Sequence, residues 1–362
     1  MGILQRYYWR EMGAAFASVT LVLFAILCVN QIGAVLARAA ELDYPKTVVW
    51  ELIGLGALEN VSILLPIGLL LGLVLALGRL HHDSEMVAAE ACGLGAAGVL
   101  RPVLWLTVPV VLLVAWLNMS IAPDAAVRVA EVRAAAVRAA QSAPMEAGRF
   151  RSFDSGRIVI YARSRDPDGD LRDVFIKRND GAVVETTLAE RARMALGADG
   201  LAQAVVLYNG KRYEGEPGSA RYQLLSFETQ SIPLTAASGT DRGAGLDGEP
   251  TSALFGATTR AERAELQWRI GLPLMAFVLA LLAIPLGRLR PRQGRYSRVW
   301  QAVLVFALYA NFALIARSWL TRGVISAGLG LWWVHLLFIL VGVFMVWGGN
   351  WRRALIARRA AA

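Results

Sequence analysis

The chain has 362 residues, of which 56% are hydrophobic and only 18% charged, and its formal net charge at pH 7 is +9. Soluble globular proteins carry about 25% charged residues, so this composition excludes an ordinary soluble domain. Residues 123–267 contain 19 Lys and Arg and 20 Asp and Glu, whereas the rest of the chain contains 18 basic and 8 acidic residues. The basic excess therefore accompanies the apolar segments, where it is a membrane-orientation signal rather than a nucleic-acid-binding patch.

Six long apolar stretches predict an α-helical membrane protein with six transmembrane helices, three on each side of an inserted all-β, jellyroll-like domain. The expected domains are residues 1–122, residues 123–267 and residues 268–362, the last ending in a basic tail. The predicted spans are Gly13–Leu36, Val61–Leu77, Ala97–Ile121, Trp268–Leu286, Val299–Leu320 and Leu329–Trp347. The first span is too long for a signal peptide, so we expect it to remain as an anchor.

Arginines mark one side of the predicted membrane. They are Arg6, Arg10, Arg79, Arg101, Arg288, Arg290, Arg292, Arg295, Arg298, Arg352, Arg353, Arg358 and Arg359. Six crossings place all of them on the same side, which the positive-inside rule makes cytoplasmic. Both chain ends are then cytoplasmic and the polar block lies outside.

The loop between the second and third spans, residues 80–98, predicts a short helix. Ser84 is its expected N-cap, Glu85 and Glu90 lie near its polar face, and Gly93 or Gly95 ends it. Either the loop is a bare solvated turn, or its acidic helix inserts into a groove on a partner.

Within the second span, the pair Gly68 and Gly72 permits close contact with another helix.

The polar block begins with a predicted helix, Ala125–Gln141, and continues with short alternating segments typical of β-strands. The clearest of these segments are Arg157–Arg163, Val174–Lys177, Ala202–Tyr208 and Tyr222–Thr229, with turns expected at Asp166–Gly169 and Asn209–Gly210. Eight or more such strands would suit a sandwich or jelly roll. Ser238–Pro250 is a predicted linker, and Thr259 with Glu262 predicts a capping box. The block is either a rigid structural domain or a lipid holder whose edge pairs with another sheet.

The sequence offers no site for catalysis. Its Gly-Lys pair, Gly210-Lys211, lacks the spacing of a phosphate-binding loop, and no Ser/His/Asp, Cys/His or metal-ligand spacing stands out. Cys28 and Cys92 are separated by the predicted topology, so no disulfide is expected. We therefore expect a non-catalytic protein without cofactor or metal.

Polar residues near the outer ends of the spans are the candidates for binding anionic headgroups. Arg38 and Arg317 are the first choices because the arginine fork matches phosphate geometry. Asn30 and Gln31 face either a cavity or a neighbouring helix. Arg322 either binds a headgroup or simply extends to the membrane interface.

Three sequence segments and the topology resemble the LptF/LptG family of lipopolysaccharide-export permeases, over essentially the whole chain. The segments are Leu64-Leu-Pro-Ile-Gly-Leu-Leu-Leu-Gly72, the pair Ser84-Glu85-Met86 and Ala91-Cys92-Gly93, and Arg290-Pro-Arg-Gln-Gly-Arg295. The second and third look more like the LptF than the LptG branch. The family often has basic residues in the outer half of the first span, where this chain has Asn30 and Gln31.

The resemblance implies a machine in a Gram-negative inner membrane. An LptG-like sibling permease forms a lipid cavity with this chain, a dimer of the ATPase LptB drives it, and LptC's single helix sits at a lateral gate. The jellyroll is periplasmic and hands lipopolysaccharide to LptC. The loop helix matches the family's coupling helix, which makes Glu85 the expected contact to the ATPase, with Glu90 and Arg79 in support.

Two other functions remain open from the residues alone. A mechanotransmitting membrane subunit would relay the strokes of a partner ATPase to a periplasmic protein without carrying lipid. A scaffold would only anchor the β domain.

Overall fold

The structure, a computed structural model, describes residues 2–42, 46–93, 96–142, 147–153, 156–179, 181, 183–196, 202–215, 222–233, 244–288 and 298–360. Gly95, the segment Arg290–Arg295 and the predicted linker before Ala244 lie outside the described residues. The chain divides into a helical unit, residues 1–32, 53–129 and 244–362, and a β unit, residues 33–52 and 130–243.

The helices follow the predicted order. They are α1 (Ile3–Leu42), α2 (Lys46–His82), α3 (Glu85–Ala91), α4 (Ala96–Trp116), α5 (Ala122–Ser142), α6 (Thr251–Leu254), α7 (Arg260–Leu286), α8 (Val299–Arg322) and α9 (Trp332–Ala360). A π-helical segment, Leu117–Ile121, joins α4 to α5, and a 3₁₀ helix, Gly245–Gly248, precedes α6. The expected helix Ala125–Gln141 is therefore α5.

Long apolar helices confirm the predicted fold class. Among the described residues, α1, α2, the α4–α5 rod, α7 and α8 are long and apolar enough to cross a membrane. The sixth predicted span, Leu329–Trp347, overlaps α9, which contains the apolar stretch Trp332–Val346. The apolar residues before Val61, from Val48, belong to the same continuous helix as the second span.

The helical unit is built around α2 and α7, whose apolar stretches are mostly buried, whereas those of α1, the α4–α5 rod and α8 are mostly exposed. The close contact predicted from the glycine pair is present between α1 and α2. A β-carbon on Gly68 would collide with the Thr20 hydroxyl, and one on Gly72 would lie 2.5 Å from the Cα of Phe16. Small residues thus let the two backbones approach.

The β unit contains one antiparallel sheet whose six described strands pair in chain order. The strands are β1 (Phe150–Phe153), β2 (Ile158–Arg165), β3 (Leu171–Asn179), β4 (Val184–Leu196), β5 (Ala202–Gly215) and β6 (Tyr222–Pro233). This up-and-down order is simpler than the two Greek keys of a jelly roll. One face forms the apolar core of the unit, with Ile160, Ile176 and Leu207 almost fully buried.

A bend line crosses the sheet where regular strand pairing is interrupted. The residues on it are Arg163, Asp173, Glu190, Asn209 and Glu228. Asp173 and Asn209 have positive φ angles of 49° and 52°. The alternation of buried side chains shifts at this line in β3, where Leu171 and Val174, three positions apart, both face the core. The predicted turn at Asn209–Gly210 is wrong, because both residues lie inside β5 on this line.

Two local predictions are confirmed, one in the turn between β2 and β3 and one at the start of α7. Gly169 adopts a φ of 88° in the turn between β2 and β3, where its N–H donates to Asp166 O over 2.9 Å. Thr259 and Glu262 form the expected capping box at the start of α7.

Candidate functional site

The loop helix α3 is held against the helical core by one of its faces. Met86 is 1% exposed and Ala89 is also buried, whereas Val87 and Glu90 point outward. Ser84 occupies the N-cap position, but its backbone is left-handed and its side chain makes no capping hydrogen bond. The expectation of a Ser84 side-chain cap is therefore wrong. Gly93 follows the helix with a φ of 89°, as expected of a terminating glycine.

Arg79 and Glu85 meet through α1. Arg79 Nη1 lies 2.7 Å from Glu11 Oε1, and its Nη2 donates to the Tyr7 hydroxyl over 3.1 Å. The Tyr7 hydroxyl in turn donates to Glu85 Oε1 over 3.3 Å. The sequence pointed to Arg79 and Glu85 but not to Tyr7 and Glu11, because these two lie more than sixty residues away in the chain. Glu90 lies outside this cluster and is exposed.

An open apolar groove runs between α1, α2 and α8. Its volume is about 760 Å³. The residues that line it are Leu23, Ala25, Ile26, Leu27, Val29, Asn30, Asn60, Ile63, Leu64, Ile67 and Phe306. Two asparagines, Asn30 and Asn60, are its polar residues. The groove therefore suits long apolar chains, with one polar residue on each of the walls formed by α1 and α2.

Asn30 faces a cavity and Gln31 faces a neighbouring helix, which are the two alternatives that the sequence left open. Asn30 lines the groove. Gln31 instead packs against Gly56 of α2, where a β-carbon would collide with its amide. Asn60 donates from Nδ2 to the backbone oxygen of Gly56 over 2.7 Å, so its amide is fixed within α2.

Arg317 lies on the same face of α8 as the groove residue Phe306, eleven residues or about three turns further along. Its guanidinium carbon is 5.2 Å from the centroid of the Trp268 ring. Its Nη2 donates to Glu265 Oε2 over 2.5 Å and to Asp247 Oδ1 over 3.3 Å. In the part of the chain that the structure describes, its Nη1 and Nε make no hydrogen bond.

Arg269 supports this arrangement from inside the protein. It is 2% exposed, and all five of its guanidinium N–H groups have acceptors. These acceptors are Glu265 Oε1, Glu249 O, Thr251 Oγ1, Leu246 O and Asp247 O, at 2.7–3.0 Å. Arg269 thus clamps the segment 245–251 onto α7. The sequence analysis missed Arg269 and Glu265, because two opposite charges four residues apart near the start of a helix are typical of a solvent-exposed helix surface.

The π-helical segment joins the same network. Asn118 donates to Arg269 O over 2.9 Å, and Thr251 Oγ1 donates to Met119 O over 2.6 Å. The π-helical segment and the segment 245–251 are therefore both held against α7 at Arg269. π-Helical turns of this kind often occur at functional sites.

The two remaining arginine candidates lie at helix ends. Arg322 is exposed at the last residue of α8. The backbone of Arg38 belongs to α1, but its side chain lies outside the described residues. Among the described residues, no group of three or more His, Cys, Asp or Glu is arranged to hold a metal ion.

In the β unit, apolar residues fill the inner face of the sheet, and among the described strands β1 and β6 each pair on one side only. The first half of β6 exposes Tyr222, Leu224 and Leu225. A sheet of this kind offers an apolar interior and two edges able to accept another strand.

The comparisons with known proteins agree on one family. The profile of "Lipopolysaccharide export system permease LptF/LptG" matches residues 6–348. Lipopolysaccharide export system permease protein LptF of Escherichia coli strain K12 is 29% identical over 347 residues, which cover 95% of this chain and 94% of that protein. The LptF protein of Shigella flexneri matches with the same identity and coverage. Because the family profile spans nearly the whole sequence, the chain belongs to the LptF/LptG family of lipopolysaccharide export system permeases.

Proposed function

We propose that this chain is the transmembrane permease subunit of an ATP-driven transporter that extracts lipopolysaccharide from the outer leaflet of the inner membrane. The groove between α1, α2 and α8 is the observation that carries this proposal, because it is apolar, open and roomy enough for acyl chains. The extracted lipid passes through the apolar interior of the β domain to a periplasmic bridge. In this orientation both chain ends are cytoplasmic and the β domain is periplasmic.

Extraction needs a source of work. Removing an acyl chain from the bilayer costs about 0.8 kcal/mol per CH₂, so twelve methylenes already cost on the order of 10 kcal/mol. The chain itself lacks a phosphate-binding loop. A cytoplasmic ATPase dimer of the LptB type supplies the work. The apolar faces of α1 and α8 are exposed, and this supports a heterodimer in which an LptG-like sibling permease covers them.

The exposed face of α3 is the proposed ATPase contact. Its side chains Val87 and Glu90 face outward while Met86 anchors the helix, so force applied to α3 reaches the helical core. Glu85 is the proposed acidic contact to the ATPase, with Glu90 of α3 and Arg79 of α2 in support. The hydrogen bonds of Glu85 and Arg79 to Tyr7 connect this contact to α1, which is a wall of the groove.

The proposed headgroup ligands are Arg317, Arg38 and Arg322. The proposed contacts nearer the acyl chains are Asn30 and Gln31. Arg317 carries this assignment best, since it lies on the groove face of α8 and keeps free donors among the described residues. The edge of the β sheet is the proposed docking site for LptC, by strand addition.

The test is ATP-dependent transfer of lipopolysaccharide from liposomes that contain this chain with its sibling permease and the ATPase. Ile63→Trp fills the groove, and we expect it to reduce lipid transfer while complex assembly remains normal. Ile339→Trp on α9 is the matched control, because Ile63 and Ile339 are 42% and 41% exposed but only Ile63 lines the groove. Normal transfer by Ile63→Trp would contradict the proposed lipid path.

A second variant tests the ATPase contact. Glu85→Arg should lower ATPase-coupled transfer without unfolding the helices, and Glu131→Arg, a charge reversal at an exposed site on α5, is its control. Normal complex recovery and normal lipid transfer by Glu85→Arg would exclude the coupling role. Coupled ATP hydrolysis with no lipid bound or moved by the wild-type complex would instead indicate mechanotransmission.

A further inference from the structure

Asp247 is the more exposed of the two carboxylates that contact Arg317. Its carboxylate accepts from Arg317 Nη2 over 3.3 Å, and its side chain is 65% exposed. Glu265 is the other carboxylate on the same Nη2, at 2.5 Å, and its side chain is only 6% exposed. Of the two carboxylates on Arg317, Glu265 is therefore buried and Asp247 is exposed to solvent.

The two carboxylates are not equivalent. Glu265 also accepts from Arg269 Nε over 2.8 Å and balances a guanidinium that is almost fully buried. Removing it would leave a buried charge unpaired, which is costly. Asp247 balances no buried cation through its side chain. Its backbone oxygen accepts from Arg269 Nη2 over 3.0 Å, so its side chain can rotate away while the backbone stays held.

The net charge of the cluster indicates which of the two carboxylates an incoming phosphate would replace. Arg269 and Arg317 supply two positive charges, and Glu265 and Asp247 supply two negative charges, so the cluster is neutral as it stands. A phosphate added to Arg317 would create an excess of negative charge. That excess disappears when the incoming phosphate replaces the exposed Asp247 carboxylate.

We propose that Asp247 is a resident counter-ion of Arg317, which a phosphate-bearing lipid headgroup displaces on binding. This proposal rests on the proposed headgroup role of Arg317. Glu265 and Arg269 are positioning residues, because they hold the Arg317 guanidinium and the segment 245–251 in place during the exchange. The exchange confines binding to anionic headgroups, since a zwitterionic or neutral one offers no net charge to replace the carboxylate.

The experiment measures lipid binding by the full chain in complex with its sibling permease, in phosphatidylethanolamine nanodiscs. The probes are fluorescent lipopolysaccharide and, separately, fluorescent phosphatidylglycerol. Exposed ion pairs are weak, so Asp247→Asn should tighten binding about two- to fivefold. The gain should shrink at high ionic strength, because salt screens exposed charges.

Two comparisons make the result specific. Glu249→Gln removes the same charge two residues away, from an exposed side chain that has no partner among the described residues, and should leave the affinity unchanged. Asp247→Asn should give no gain in an Arg317→Gln background. Unchanged or weaker binding by Asp247→Asn, or an equal gain from Glu249→Gln, would overturn the proposal.

The two probes separate this proposal from the transport function. A gain for lipopolysaccharide alone, or for both lipids, supports the exchange of Asp247 at the headgroup site. A gain for phosphatidylglycerol with no lipopolysaccharide binding by any variant supports the counter-ion but removes lipopolysaccharide as its ligand, and with it the proposed transport function.

Discussion

Gly72 of α2 lies directly against the backbone of Phe16 of α1. A β-carbon at position 72 would come 2.5 Å from the Cα and 2.8 Å from the amide nitrogen of Phe16, and neither backbone atom can move without moving α1. The same two helices form two walls of the groove.

Gly72→Ala should therefore separate α1 from α2 and destabilise the chain by about 1–3 kcal/mol, as overpacking does. The measurement is thermal unfolding in a mild detergent. Gly54→Ala in the same helix is the control, because nothing lies within 4 Å of its β-carbon position. Equal melting temperatures for the two variants would refute the close contact.

Met86 should contribute most of the energy that holds α3 on the helical core. Met86→Ala removes a side chain that is 1% exposed and should cost about 2–5 kcal/mol. Val87→Ala, at 60% exposure, should leave stability nearly unchanged. Hydrogen exchange of the α3 amides in the full chain measures the difference. Similar protection in both variants would mean that α3 is held by other contacts.

Asn209 should tolerate glycine far better than a β-branched residue. Its φ is 52°, a conformation that costs an L-residue with a β-carbon about 1–2 kcal/mol and glycine almost nothing. Asn209→Val should therefore destabilise the β unit, whereas Asn209→Gly should be close to neutral. Hydrogen exchange of β5 in the full chain reports both. A neutral Asn209→Val would argue against the bend line at this strand.

Asp170 should make the β unit sensitive to acid. Hydrogen bonds from Arg193, at 2.7 and 2.9 Å, lower the pKa of Asp170 below its ordinary value of 3.8. A lowered pKa in the folded state gives stability that is present above the ordinary value and lost as the pH falls through the lowered one.

Thermal unfolding of the full chain at neutral pH and below pH ~3.8 checks this window. Asp170→Asn should lower stability at neutral pH and reduce its loss in acid. Asp168→Asn, an exposed residue of the same turn, should keep the wild-type pH dependence. Wild-type pH dependence in Asp170→Asn would exclude the Arg193 pair as its source.

Predicted strand ends show how far local patterns reach. The predicted alternating segments end at Arg163 and Tyr208 and begin at Val174. Arg163 lies on the bend line, and Tyr208 and Val174 border it. The true strands β2, β3 and β5 continue across it. In β3 and β5, buried residues three positions apart flank the line, Leu171 with Val174 and Leu207 with Gly210, so the alternation shifts there. Strands β1 and β4 were not predicted at all.

The sequence by itself determined the helical membrane fold, the inserted β domain, the family resemblance and the capping box at Thr259. Each of these depends on composition or on residues within a few positions of one another. Only the tertiary structure decided which side of α1 forms the groove, that Tyr7 joins Arg79 to Glu85, and that Arg269 binds the segment 245–251. These contacts join residues far apart in the chain, and their geometry arises only when the helices pack.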